Sequence, residues 1–451
     1  MEKPYQKVAS YEAKPGQVKK VVLLYSGGLD TSVMLKWIKD EYKCEVIALT
    51  IDLGQMADDL VFAQKKALKL GAMEAIIVDA KEEFAKNYIT PAIKANASYQ
   101  GDYHMATCIG RPLLAKLAVE TAKKFGADAI AHGCTGKGND QVRIEAGILT
   151  LDPSMKIIAP VREWALGRDE EIAYAKEHNI PVPHTLDKPY SYDDNMWGIS
   201  AEGGEIEDPT LVPPLNKILA FCKTPEQTPD KSQMIDIGFE KGVPVSIDGK
   251  KMPLTKLIFE LNKIGAAHGV GVHIHIENRL VGLKIRDIYE APAGHMLIKS
   301  HKVLEKIVST REENFEKSRI DENWAYLCYG AKWYEPVMQH LNAFTESMNQ
   351  KVTGTVTLKL FKGQAVVMAV KSPYSLFNAN LATFMKSSGF NQNASPGFIE
   401  IFSLESKMAY QMQRIKKAQP LTSTYGSNLE HDRPKTAPAS AKIHSRQRLP
   451  A

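Results

Sequence analysis

Short uninterrupted apolar runs alternate with amphipathic stripes through the N-terminal third of this chain. Val21–Leu24, Val46–Ile51, Ala75–Val78, Ala129–His132 and Ile157–Ala159 are such runs, and each predicts a strand. Val33, Met34, Trp37 and Ile38 form a helical stripe behind the first run. Further helices are predicted over Asp59–Leu70, near Glu82–Ala97 and over Arg111–Phe125, the last with Pro112 in its first turn. Strands alternating with helices indicate an α/β fold with a doubly wound parallel sheet. Ligands of such sheets bind at the carboxyl ends of the strands.

The pattern breaks around Ile180–Pro189, which holds three prolines. Beyond it lie extended segments (Val270–Ile276, Leu280–Ile288, Val352–Leu360) and helical ones (Leu254–Ile264, Asp321–Thr345), which predict an α+β second domain. Ser403–Lys417 is an amphipathic helical stretch, with Leu404, Met408 and Met412 on one stripe. After Gln419 the chain is rich in Pro, Ser and Thr and carries five Lys/Arg against two acids, so a disordered tail is expected. Residues 1–19 read as a solvated, flexible extension.

Composition narrows the class. A chain of 451 residues, 44% hydrophobic and 24% charged, fits two or three globular domains. The net charge of +5 is too small for a nucleic-acid-binding field. Five scattered cysteines without C-x-x-C favour a reduced, cytoplasmic setting and no zinc site. The first 20 residues carry Glu2, Glu12 and five lysines but no apolar core and no arginine, so neither a secretory nor a mitochondrial leader is expected. No run of 18 apolar residues predicts a membrane span.

Candidate chemistry gathers at strand ends. "LLYSGGLDTS" joins the first strand to its helix. Gly27 and Gly28 permit a sharp turn and close ligand approach. Asp30, Thr31 and Ser32 stand at a helix start, where unpaired N–H groups and the helix dipole attract phosphate. "AHGCTGKGNDQVR", Ala131 to Arg143, follows the fourth strand with Gly133, Gly136 and Gly138 among donors and acceptors. It is neither a Walker A loop nor G-x-G-x-x-G. The two loops read as facing walls of one cleft. In "VHIHIEN", His273, His275 and Glu277 alternate on one strand face. That fits a metal triad or simply a polar face. Without a further ligand of clear spacing, no protein metal site is assigned. "YSYDDNMWGIS" brings Ser191 and Ser200 in what alone reads as a loop.

SGGLDTS resembles the pyrophosphate loop of the adenylating N-type ATP pyrophosphatases. Together with HGCTGKGNDQVR, DNMWGIS, ENRLVGLK and YEAPAG, it is similar to the argininosuccinate synthase family from about Val21 to Lys417. The resemblance implies an ATP-binding domain over 20–183, a synthetase domain over 184–402, a C-terminal helical arm over 403–418 and a homotetramer. It implies ATP at Leu24, Tyr25, Ser26, Gly27, Gly28, Leu29, Asp30, Thr31, Ser32, Ile51 and Gly133, with Mg2+ accompanying it. It implies citrulline at Tyr103, Cys108, Asn139, Arg143, Ser191, Ser200, Glu277 and Tyr289, and aspartate at Thr135, Asn139 and Asp140. The implied reaction forms a citrullyl adenylate with release of pyrophosphate, after which aspartate displaces AMP. Cys108, Cys134, Ile285 and Asp287 depart from the family pattern.

Other readings remain open at this level. A ligase of the same family could take a related ureido substrate. A sulfur-inserting tRNA enzyme of the same loop class would use Cys108 and Cys134 as thiols, against which the small net charge counts. A non-catalytic ATP-binding assembly protein would have no use for both wall loops together with Arg143 and Glu277.

Overall fold

The computed structural model of the chain describes residues 5–55, 60–164, 168–181, 189–385 and 389–418. The tail expected over 419–451 lies outside the described residues, as does Asp59 of the predicted second helix. The first apolar run becomes β1 (Lys20–Leu24), followed by α1 (Leu29–Tyr42), β2 (Glu45–Asp52), α2 (Leu60–Lys69) and β3 (Glu74–Asp79). The helix predicted near Glu82–Ala97 is a single helical run in three pieces. These are α3 (Lys81–Phe84), a π-helical turn over Ala85–Ile89, and α4 (Thr90–Lys94). Then come α5 (Arg111–Phe125), β4 (Ala129–Ala131), α6 (Asp140–Leu151), β5 (Lys156–Ile158), α7 (Pro160–Glu163) and α8 (Arg168–Glu177).

Five strands form one parallel sheet in the order β3-β2-β1-β4-β5. The chain winds outward from β1 to β3, then crosses back to β4 on the other side of β1. The strand order therefore reverses between β1 and β4, and a crevice opens at their carboxyl ends. Residues 5–19 are not a free extension. Ala13 N–H donates to Ile157 O and Ile157 N–H to Tyr11 O, each at 2.9 Å, so this segment covers the edge of β5. Ala13 and Val18 are buried, and Lys7 pairs with Glu163 at 2.9 Å.

A four-stranded antiparallel sheet follows, ordered β11-β12-β7-β6. It is built from β6 (Ser191–Asn195), β7 (Gly198–Glu202), β11 (Val272–Asn278) and β12 (Lys284–Glu290). The stretch read as a loop, "YSYDDNMWGIS", is thus the β6–β7 hairpin, turning at Met196–Trp197. Between the hairpins lie α9 (Leu215–Ile218), β8 (Gln233–Glu240), β9 (Val243–Ile247), β10 (Lys250–Lys251) and α10 (Leu254–Ala267). After β12 come α11 (Pro292–Val308), α12 (Arg311–Tyr329), α13 (Pro336–Asn349), β13 (Gly354–Phe361) and β14 (Gln364–Lys371). A third sheet is ordered β10-β9-β8-β13-β14. The single helix expected over Asp321–Thr345 is broken in two. Gly330 caps the first helix, Ala331 turns left-handed at φ +64°, and Pro336 starts the second.

One hydrophobic core runs from Val22 and Ile47 of the parallel sheet through Trp197 and Leu257 to Val356 and Leu358 of the third sheet. The two halves expected to meet at 183/184 therefore pack as one compact unit, and the division falls between Phe377 and Asn378. The second unit contains α14 (Ala379–Ala382), α15 (Ser395–Phe402) and α16 (Leu404–Ala418). Phe398, Phe402, Leu404, Met408 and Met412 are exposed on its helices.

Candidate active site

The loop after β1 bends because Gly27 sits at φ +81°, with Ala63 so close that a Cβ would come within 2.6 Å of its Cβ. The helix α1 starts at Leu29 with no side-chain cap, which leaves its first turn facing the crevice. Ser26 Oγ lies 3.1 Å from Thr31 Oγ1. Ser32, expected among the ATP contacts, is fully buried instead. Its hydroxyl donates to Gly28 O at 2.6 Å and lies 3.0 Å from Tyr25 Oη. Tyr25, Leu29 and Ile51 are also buried, so they shape the loop rather than line it. Lys66 of α2 was missed by the sequence reading. It is buried and donates to Gly27 O at 3.0 Å, bracing the loop from behind, and burial lowers its pKa.

Across the crevice, the loop after β4 is held by its own chain. Gln141 Nε2 donates to Gly136 O at 2.6 Å, and Cys134 N–H donates to His132 Nδ1 at 3.2 Å. Gly133 packs against the tip of Met34, whose Cε a Cβ there would approach to 2.7 Å. Asp140 opens α6 between two guanidinium groups, at 2.7 Å from Arg111 Nη2 and 2.8 Å from Arg143 Nη1. Burial alone would raise its pKa. The two arginines outweigh burial and hold the carboxyl well below the usual range. Arg111 also pairs with Asp193. Arg143 donates from Nε to Tyr329 O at 3.0 Å and lies over the Tyr329 ring at 4.5 Å, yet its Nη2 is buried with no partner. Asn139, expected at both the citrulline and aspartate positions, is largely engaged. Its Oδ1 accepts from Leu280 N–H and its Nδ2 donates to Tyr329 Oη, both at 2.7 Å.

The four-stranded sheet supplies the third wall. Register sets His273, Tyr289, Ser200 and Asp193 side by side. The period of two then puts Ser191, Glu202, Glu277 and Asp287 on the same face. Tyr289 hydroxyl lies 2.9 Å from Glu277 Oε2 and 3.1 Å from Asp287 Oδ2, and its ring stacks on Tyr103 at 4.0 Å. Arg279 reaches Glu202 at 2.8 Å and Asp287 at 3.5 Å. Burial, reinforced by the Glu277 charge, pushes the Asp287 carboxyl up to about 7.

These walls enclose a cleft of about 310 Å³. It is lined by Asp30, Gly133, Thr135, Asn139, Asp140, Arg143, Tyr103, Ser191, Ser200, Glu277 and Tyr289, all singled out in the sequence. It is also lined by Thr107, Arg111, Asp193, Glu202 and Arg279, which sequence reasoning passed over. Arg111 lies beside the cysteine of "TCIGRP", but only the fold brings it to Asp140. Cys108 does not line the cleft. It is fully buried behind Tyr103, whose hydroxyl lies 3.5 Å from its backbone N–H. Cys134 does line it, with burial raising its thiol pKa, the opposite of what a sulfur nucleophile needs. His273 joins His104 and His295 rather than His275 and Glu277.

Residues 20–181 match the family model described as the arginosuccinate synthase N-terminal HUP domain, and residues 190–409 match that of the arginosuccinate synthase C-terminal domain. An argininosuccinate synthase of Bacillus licheniformis is 48% identical over 392 residues, 87% of this chain and 96% of that protein. One of Pyrococcus furiosus is 49% identical over 393 residues, 87% of this chain and 95% of its own. A solved U34-tRNA thiolase of Methanococcus maripaludis is 20% identical, covering 40% of this chain and 61% of that one, with a TM-score of 0.26; at that level the likeness carries no argument.

Proposed function

The chain belongs to the argininosuccinate synthase family, and from that premise we propose how its cleft joins citrulline to aspartate at the expense of ATP. The triphosphate lies on the turn of Ser26–Asp30, where the start of α1 offers N–H groups and a positive dipole end. Gly27 at φ +81° lets this turn bend sharply, and Asp30 of the same turn lines the cleft. Asp30, together with the phosphates, would offer the hard oxygen donors that Mg2+ prefers, and the ion would neutralise charge on the departing pyrophosphate. Gly133 borders the nucleoside, with Ile51 packed beneath.

Citrulline occupies the side bounded by Tyr103, Arg143, Ser191, Ser200, Glu277 and Tyr289. The buried, unpartnered Arg143 Nη2 is the observation that carries this reading. An orphaned guanidinium hydrogen is costly to bury, and an acceptor on a bound substrate relieves that cost. The ureido oxygen then attacks the α-phosphorus in line, so the protein's share of the work is positioning and charge stabilisation. No covalent nucleophile is required of the chain. Aspartate enters against Thr135, Asn139 and Asp140. Asp140, kept ionised by Arg111 and Arg143, holds its ammonium in place; once that group has given a proton to water, the free amine attacks the ureido carbon and the C–O bond to AMP breaks. We place the protein in the cytoplasm as a homotetramer, with the exposed apolar side chains of α15 and α16 reaching a neighbouring copy.

The test is pyrophosphate release with ATP and citrulline, followed by AMP formation on adding aspartate. Asp30→Asn and Ser26→Ala are each expected to slow pyrophosphate release at least tenfold with the fold intact, since a charge-assisted contact contributes about 1.5–3 kcal/mol. Near-normal release in both would reject the loop assignment. Release with acetylated citrulline but not citrulline would move the chain to a related ureido ligase.

A further inference from the structure

We propose that His104, His273 and His295 form a binding site for a divalent transition metal of the zinc class, outside the substrate cleft. The three come from separate segments: His104 from the loop before α5, His273 from β11, and His295 from the first turn of α11. One potential ligand nitrogen of each lies within 4.8 Å of the other two. Among the described residues, no other set of three His, Cys, Asp or Glu is so arranged.

One of the three spacings is already that of a coordination shell. His104 Nε2 stands 3.3 Å from His295 Nδ1. With Zn–N bonds of about 2.0–2.1 Å, the edge of a tetrahedron is about 3.3–3.4 Å. These two nitrogens therefore already sit as two ligands of one ion would. The His273 ring meets both others, with centroids 5.0 Å and 5.2 Å away, and its Nε2 is buried without a partner. Ser98 Oγ contacts His104 Nδ1 at 2.7 Å, the outer contact that fixes the tautomer of a metal-binding imidazole and leaves Nε2 as its ligand atom. His104 is buried and His273 and His295 are half-buried, so the three rings face one another largely out of solvent. Asp102 is the nearby negative charge on His273, and Lys299 the opposing positive charge on His295.

Access and consequence also follow from position. His104 and His295 line a second cleft of about 420 Å³, bordered by Ser98 and Gln100, so a fourth position can hold water. An all-imidazole set selects zinc, nickel, cobalt or copper over magnesium or calcium. His104 directly follows Tyr103, and His273 is the ladder partner of Tyr289. A bound ion would thus tie the Tyr103 loop to the strands that carry Glu277 and Tyr289. The site itself stands independently of what that cleft binds.

The experiment uses the full chain, freed of metal with a chelator and titrated with Co2+ while its visible absorbance is read. One Co2+ per chain is expected, with the ligand-field bands of a four- or five-coordinate site, displaced by one equivalent of Zn2+. His104→Ala, His273→Ala and His295→Ala are each expected to weaken Zn2+ binding at least about 100-fold, since even outer-shell changes cost 10–100-fold. His340→Ala, at an exposed position of α13, leaves it unchanged. The wild-type spectrum needs no variant and so survives any folding defect. Failure of the wild type to show a stoichiometric Co2+ band would overturn the proposal, as would an unchanged Zn2+ affinity in the three folded variants.

Discussion

At the residue scale, burial decides which polar groups act and which merely hold. Ser26 and Ser32 are both hydroxyls of one motif, yet Ser32 is sealed inside and spent on Gly28. Asp140, half-buried, and Asp287, buried, are carboxylates of one cleft. The first has two arginines and is held strongly acidic, while the second faces Glu277 and is raised to about 7. That shift sets a pH dependence. An unfolded aspartate titrates near 3.9, about three units lower, so folding favours the protonated form. The stabilisation is full below about pH 4 and is lost as pH rises through 7, on the order of 4 kcal/mol at most. Asp287→Asn stays neutral throughout, so its stability advantage over the wild type should open between pH 5 and pH 8. Urea midpoints of both proteins at the two pH values measure this. A gap of the same size at both would refute the assignment. Asp321, also raised to about 7 by burial, leaves a residual slope in the variant.

At the element scale, the parallel strands were legible because each is a short apolar run between turn signals. The β6–β7 hairpin was not, because "SYDDN" is polar and only its pairing with β7, itself held by β12, explains its extended form. The helix break at Gly330–Pro336 was signalled by its glycine and proline, but the apolar period on both sides hid it. The segment over residues 5–19 carries few apolar residues, and its order comes from backbone hydrogen bonds to β5, the Lys7–Glu163 ion pair and the burial of Ala13 and Val18. Removing residues 1–15 should therefore expose a strand edge and destabilise the chain by about 2 kcal/mol, from two lost backbone hydrogen bonds alone. Thermal unfolding of the shortened chain checks this, and an unchanged midpoint would return the segment to a passive extension.

At the scale of the whole molecule, the proposed assembly draws on the second unit. Its two longer helices expose Phe398, Ile401, Phe402, Met408 and Met412, more apolar surface than a solvated helix pair needs. Truncation after Lys417 should leave a tetramer in light scattering, and truncation after Phe402 should lower the mass. A tetramer that survives the second cut would place the contact elsewhere, and a monomeric full chain would remove the assembly altogether.

The sequence by itself determined the β/α alternation, the glycine turn after β1 and most of the cleft's named residues. Those features are local: a run of apolar side chains, a glycine pair, an acid at a helix start. Tertiary structure alone decided what each side chain does. Arg111 meets Asp140 and Asp193, Asn139 is taken by Leu280 and Tyr329, and His273 leaves its strand neighbours for His104 and His295. Such pairings join residues up to about 190 positions apart, as in Asn139 with Tyr329, and desolvation sets their charge. Neither the long-range contact nor the burial of a polar group leaves a mark in local hydrophobic pattern, because both arise only when separate elements close on one another.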